Sequence, residues 1–173
     1  MKQELRVFCN IIRNKKERKE SMEENYILSV TGKQMVDGES DSIELQTPAS
    51  YITKNGSRYI TYKEYDVNHP SHIYRTTVKI DKEGIVTIMK GGEERHQLIL
   101  EKGVRHKCEY FTSFGSLSLG IYTESINNAL DDNGGELDVR YSIDIQAELA
   151  SINELHLSIK EANNNVNSTK DSQ

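Results

Sequence analysis

His106 and Cys108 stand two residues apart in a stretch that reads as a β-strand, so their side chains leave the backbone on one side, with Tyr110 following. Imidazole and thiolate are both zinc ligands, and His96 in the preceding strand would add a third. That set falls short of a tetrahedral four, and no Cys-x-x-Cys pair completes it, so no metal is expected. The same region offers Cys108, Ser116 or Ser118 as a nucleophile beside His96 or His106 as a base. No Gly-x-Ser-x-Gly elbow accompanies them, and Gly115-Ser116-Leu117-Ser118-Leu119-Gly120 reads as strand rather than as a strand-to-helix turn. Catalysis therefore ranks below binding. Lys90-Gly91-Gly92 and residues 131–135 lack the glycine spacing and following helix of a phosphate loop, so no cofactor is expected. His69 and His72 flank Pro70 in what reads as a solvated loop.

A second pattern carries more weight. Polar groups recur on faces that are otherwise apolar: Tyr62 and Glu64 share the face of Ile60, His106, Cys108 and Tyr110 that of Val104, and Tyr141 sits among Val139 and Ile143. On strands that converge on one interior, these six residues would line a cavity and fix a small amphipathic ligand by a few hydrogen bonds. The competing reading is a filled interior, in which Tyr and His bond one another and Cys is an inert small hydrophobe. Both readings stay open on the sequence alone.

The elements that would position these residues are strands. Period-two alternation recurs from Tyr26 to about Lys160, with Asn55-Gly56, Asp81–Gly84, Gly91-Gly92, Lys102-Gly103 and Asn133-Gly134-Gly135 as turn signals. Leu137, Val139, Tyr141, Ile143 and Ile145 form the longest apolar set, against Asp138, Arg140, Ser142 and Asp144. Arg75, Lys79, Arg105 and Lys107 also fall on wet faces. Connections of a few residues cannot carry parallel crossovers, so neighbours should pair antiparallel. Nine or ten such strands leave edges that closure into a barrel removes, which makes the fold class all-β, an antiparallel closed β-barrel; a two-sheet sandwich is the competitor. Only Thr123–Leu130 reads as a helical turn or two.

The chain divides into a basic leader (1–24), a barrel domain (25–161) and an Asn-rich, disordered tail (162–173). Residues 1–21 carry seven Lys/Arg against three Asp/Glu, a net of +4, which leaves −9 for the rest of a chain whose total is −5. Such a body should repel nucleic acid. A start at Met22 is a plausible alternative. No apolar run approaches the roughly 20 residues that cross a bilayer as a helix, and two distant cysteines make no disulfide framework, so a soluble, cytoplasmic protein is expected.

Tyr62-Lys63-Glu64, Met89-Lys90-Gly91-Gly92, Tyr110-Phe111-Thr112-Ser113-Phe114-Gly115 and Gly135-Glu136-Leu137-Asp138-Val139-Arg140-Tyr141 together resemble the YwiB-like (DUF1934) family over roughly residues 25–161. The resemblance implies a calycin-like or lipocalin-like closed barrel and no known reaction, substrate or catalytic residue. The function expected is thus a non-enzymatic module that binds a small molecule in its lumen. The alternative is a structural or interaction protein whose filled barrel acts through its outer surface, as a homodimer or on a protein partner.

Overall fold

The computed structural model describes residues 23–65, 73–91, 96–112 and 115–162, with backbone alone for His96, 108–112 and 115–117. Most of the basic leader, the loop holding His69, Pro70 and His72, and residues 163–173 of the tail lie outside the described residues.

Alternating sequence becomes strand throughout. Among the described residues there are ten strands: β1 (Tyr26–Val36), β2 (Glu39–Lys54), β3 (Ser57–Tyr65), β4 (Ile73–Ile80), β5 (Val86–Lys90), β6 (His96–Leu100), β7 (Arg105–Thr112), β8 (Gly115–Asn128), β9 (Gly134–Ile145) and β10 (Glu148–Glu161). They form one antiparallel sheet in the order β6-β5-β4-β3-β2-β1-β10-β9-β8-β7. Two-residue turns set the register of three hairpins. Asp37-Gly38, Asn55-Gly56 and Gln146-Ala147 all hold both residues at positive φ, the geometry whose twist matches that of the flanking strands.

The sheet curls until its ends approach, giving a nearly closed barrel. At the corner between β6 and β7, Lys102 bridges to Thr123 on β8, Gly103 N–H donates to Thr123 O (2.8 Å), and Thr123 N–H donates to Val104 O (3.4 Å). The strands β6 and β7 are the two edges of the sheet, and the seam lies between them.

Inward positions form the core, where Leu28, Ile60, Val78, Ile80, Val86, Leu100, Leu137, Val139, Ile143, Leu157 and Ile159 are buried. Burying these side chains supplies the main driving force for the fold. Tyr51 closes one end: its ring meets Tyr26 edge-on at 5.3 Å, and its hydroxyl donates to the carbonyl of Asp131 in the β8–β9 connection.

One sequence expectation is corrected. Thr123–Leu130 is not helical but continues β8 to Asn128, with a register shift between Thr123 and Ser125. The bulge sets two residues of β8 against one of β9 and resets the alternation. Ile126 then faces inward, and Leu130 is buried in the connection beyond. That leaves Ile126, Ala129 and Leu130 at three- and four-residue spacings, which imitate a helix.

Candidate functional site

The inner wall of this barrel is not purely aliphatic. On one side, register places Tyr62 (β3) against Thr76 (β4), Thr76 against Lys90 (β5), and Lys90 against His96 (β6), a row of polar residues across four strands. Next to it, Glu64 stands against Tyr74. The Lys90 ammonium lies 2.7 Å from Glu64 Oε2, with side-chain exposures of 9% and 24%. Thr76 Oγ1 donates to Glu64 Oε1 at 2.8 Å, and the ammonium sits 5.3 Å from the centroid of the Tyr74 ring. A buried charge pair of this kind keeps its place only because each partner satisfies the other.

The opposite wall carries a matching row. Gln34 (β1), Asn153 (β10), Tyr141 (β9) and Thr123 (β8) are successive register partners. Gln34 Nε2 donates to Asn153 Oδ1 (3.1 Å), and Asn153 Nδ2 donates to the hydroxyl of Ser151 (2.9 Å). Thr123 is fully buried, and its hydroxyl has no hydrogen-bond partner. Leaving a buried hydroxyl unbonded costs about 1–3 kcal/mol, which makes this atom the exception on the wall.

Of the six lumen residues expected from sequence, the structure brings Tyr62 and Glu64 together on one wall and sets Tyr141 on the other. His106 is on the inward side opposite Ile121 but stands next to the seam, its Nε2 3.1 Å from Glu101 Oε2. Cys108 and Tyr110 pair with Leu119 and Leu117 in register, and their side chains lie outside the described residues. Among the described residues, no group of three or more His, Cys, Asp and Glu is placed to hold a metal ion. No helix of the described chain is long and apolar enough to cross a membrane.

Sequence reasoning missed Gln34, Thr76, Lys90, Thr123 and Asn153. For Thr76 and Asn153 the signal was present, since each shares parity with the apolar residues of its strand. Lys90 was masked by the two glycines that follow it and so read as part of a turn. Thr123 was hidden by the bulge.

Outside the lumen, a groove of about 420 Å³ runs over the outer face of β1, β10, β9 and β8. Most of its charged groups engage neighbours: Arg140 reaches Glu124 (2.6 Å) and Glu154 (2.8 Å), and His156 Nδ1 is 2.7 Å from Asp138. Such cross-strand pairing is ordinary for a solvated sheet face. On the same exterior, Arg105 holds the Asp144 carboxyl below the usual carboxylate range by hydrogen bonding to it. At the closed end, burial pushes the Tyr51 phenol up to about 12.

The Uncharacterized beta-barrel protein YwiB of Bacillus subtilis (strain 168) is 30% identical over 112 residues, which cover 65% of this chain and 76% of that protein. The solved structure titled crystal structure of ywiB protein from Bacillus subtilis matches with a TM-score of 0.66 at 25% identity, covering 79% of this chain and 91% of the other. The family model described as Domain of unknown function (DUF1934) matches residues 28–157, which take in both polar rows. A ten-stranded antiparallel barrel and that span of matched residues place this chain in the DUF1934 family, to which it belongs.

Proposed function

We propose that this barrel is a binding module that takes a small amphipathic molecule into its lumen. The observation that carries this reading is the polar lining of an otherwise apolar inner wall, with Tyr62, Thr76, Glu64 and Lys90 on one side and Gln34, Asn153 and Tyr141 on the other. A core built only as filler would be aliphatic, whereas a few polar groups placed among apolar ones suit an amphipathic ligand. Arg140 and His156 of the outer groove are already paired with Glu124, Glu154 and Asp138, which favours the lumen as the candidate. The apolar wall also continues beyond the buried core. Ile43 and Leu45 on β2 share the inward side with Gly32 and Val30, yet remain 54% and 38% exposed. They form an apolar lip at the end of the barrel where β1 and β2 are joined.

A second reading is favoured by that same hairpin. Met35, on its other face, is 47% exposed, so both faces of the hairpin present apolar surface of the kind that a second copy of the chain would cover. Nile red, a neutral dye whose fluorescence rises in apolar surroundings, separates the two. Stoichiometric uptake by a monomer in sedimentation supports lumen binding. A dimer that takes up no dye, and that Ile43→Ser converts to monomer, overturns it in favour of the interaction module.

A further inference from the structure

We propose that the open edge of the β1–β2 hairpin takes up the chain's own basic leader, with residues 5–12 added as a strand beside β2. Lumen binding is not required for it. β2 spans Glu39–Lys54, yet it pairs with β3 only from Ala49 to Lys54. Pro48 stands at the next ladder position and has no N–H to continue it, and Lys63, Glu64 and Tyr65 pair with β4. Val36 and Glu39 flank the two-residue turn, so the odd-numbered residues of β2 exchange bonds with β1. Ser40, Ser42, Glu44 and Gln46 therefore turn their backbone groups away from β1. Asp41 Oδ1 takes the Ser42 N–H at 2.9 Å, and among the described residues no strand pairs with this edge between Glu39 and Pro48. Ile43 and Leu45 lie along it, exposed. An unpaired ladder with apolar side chains beside it is a template for an added strand.

Charge and reach select the leader as the occupant. The edge from Glu39 to Thr47 holds Glu39, Asp41 and Glu44 and no Lys or Arg, so a second copy laid edge to edge would set carboxylates against carboxylates. Residues 1–21 instead carry a net charge of +4. Within them Leu5, Val7, Cys9 and Ile11 alternate with Arg6, Phe8, Asn10 and Ile12, a strand pattern with apolar side chains to set against Ile43 and Leu45. The chain before β1 already points that way. Glu24 Oε1 reaches past β2 to Lys63 Nζ on β3, 2.5 Å away, and Lys63 follows Tyr62, where the pairing of β2 with β3 ends. From Pro48 to Ile43 is about 17 Å along the strand, and residues 13–22 extend over up to about 33 Å.

The test is hydrogen exchange of the full chain, read amide by amide by NMR. Glu44 and Gln46, whose N–H groups β1 does not bond, should exchange slowly, and so should the amides of residues 5–12. The double variant Val7→Asp with Ile11→Asp should lose that protection at Glu44 and Gln46. Ile43 and Leu45, bonded to β1, should stay protected in it, and its melting curve should show the barrel intact. Free exchange of Glu44, Gln46 and residues 5–12 in the unaltered chain overturns the proposal, and that reading needs no substitution. Protection of Glu44 and Gln46 that survives in the double variant overturns it as well. Protection that grows with protein concentration, together with a dimer in sedimentation, gives the edge to a second copy and refutes the leader. Nile red uptake enters none of these readings, so lumen binding stands or falls separately.

Discussion

The guanidinium of Arg105 and the carboxylate of Asp144 close over Gly120, which lies on the strand between them. Arg105 Nε donates to Asp144 Oδ2 at 2.9 Å, and its Nη2 donates to Oδ1. Asp144 is the register partner of Gly120, and Arg105 belongs to the strand on the other side. A Cβ at position 120 would stand 2.3 Å from Arg105 Nη2 and from Asp144 Oδ2, so only glycine lets this bidentate pair span the strand. Because β7 is an edge strand, the pair also ties the edge to the body of the sheet.

The pH dependence of this contact follows from its sign. Arg105 lowers the Asp144 carboxyl in the folded state, so the contribution is fully present above the ordinary carboxylate value of 3.8 and is lost as pH falls through the depressed folded value. Asp144→Asn should therefore be less stable than the parent at pH 6, by a small margin because Arg105 is well exposed. The deficit should shrink on acidification below pH 4. Denaturant titrations at pH 6 and pH 2.5 check this, and a deficit that is constant with pH would refute it. Gly120→Val should show the same loss at pH 6 and more, since the added side chain displaces both partners.

Tyr51 makes the opposite prediction at alkaline pH. Burial raises its phenol from 10.0 to about 12, so the folded state holds the proton more tightly than the unfolded chain. The stability this represents is present below pH 10 and is lost as pH rises from about 10 towards 12. Tyr51→Phe loses the hydroxyl bond to the carbonyl of Asp131 and should cost about 1 kcal/mol at pH 7. It should also unfold less steeply than the parent above pH 10, as read by circular dichroism against pH.

Much of the barrel was legible in the residues, and the reason is physical. Where one face is buried, a one-residue slip turns every side chain the wrong way, so Leu137, Val139, Tyr141 and Ile143 had to alternate as they do. Asn55-Gly56 announced its hairpin because both residues tolerate positive φ. Gln146-Ala147 makes a hairpin of the same kind without either signal, since register imposed from the flanking strands overrides local preference there. The site was less legible. Parity revealed Tyr62, Glu64 and Tyr141, but which polar residues meet depends on register across strands, and no periodicity within a strand reports that. Lys90 finds Glu64 from two strands away, and Thr123 needed the bulge to be seen at all.

The strained β9–β10 turn gives a stabilising prediction. Gln146 and Ala147 sit at φ 52 and 69, where a Cβ costs roughly 1 kcal/mol or more and glycine costs little. Replacing the pair by Asn-Gly should raise stability by about 1 kcal/mol with no change in fold. Thermal unfolding followed by circular dichroism checks it, and an unchanged or lower melting temperature would show that these side chains contribute more than their backbone strain removes.

Neighbouring residues on opposite faces should respond differently. Val139 is 2% exposed inside the barrel, and Asp138 faces out to His156 at 2.7 Å. Val139→Asp places an unpaired carboxylate among aliphatic side chains, which costs several kcal/mol and should abolish folding. Asp138→Ser should lose no more than about 1 kcal/mol, the value of an exposed pair. Equal effects in urea melts would contradict the register.

The Glu64–Lys90 pair gives the most discriminating measurement, because the two partners cannot be equivalent to the sum of their removals. Lys90 is the more deeply buried, so Glu64→Gln takes the countercharge from the more enclosed ion and should destabilise by about 3 kcal/mol. Lys90→Met leaves a carboxylate that still accepts from Thr76 and is less enclosed, so its loss should be smaller. The double variant Glu64→Gln with Lys90→Met removes both charges and should recover much of the loss, to within about 1 kcal/mol of the parent. Urea unfolding of the four proteins yields the coupling directly. A double variant as unstable as the sum of the single ones would mean that the two side chains do not interact across the inner wall, and the polar row on β3, β4 and β5 would lose its charged member as a unit.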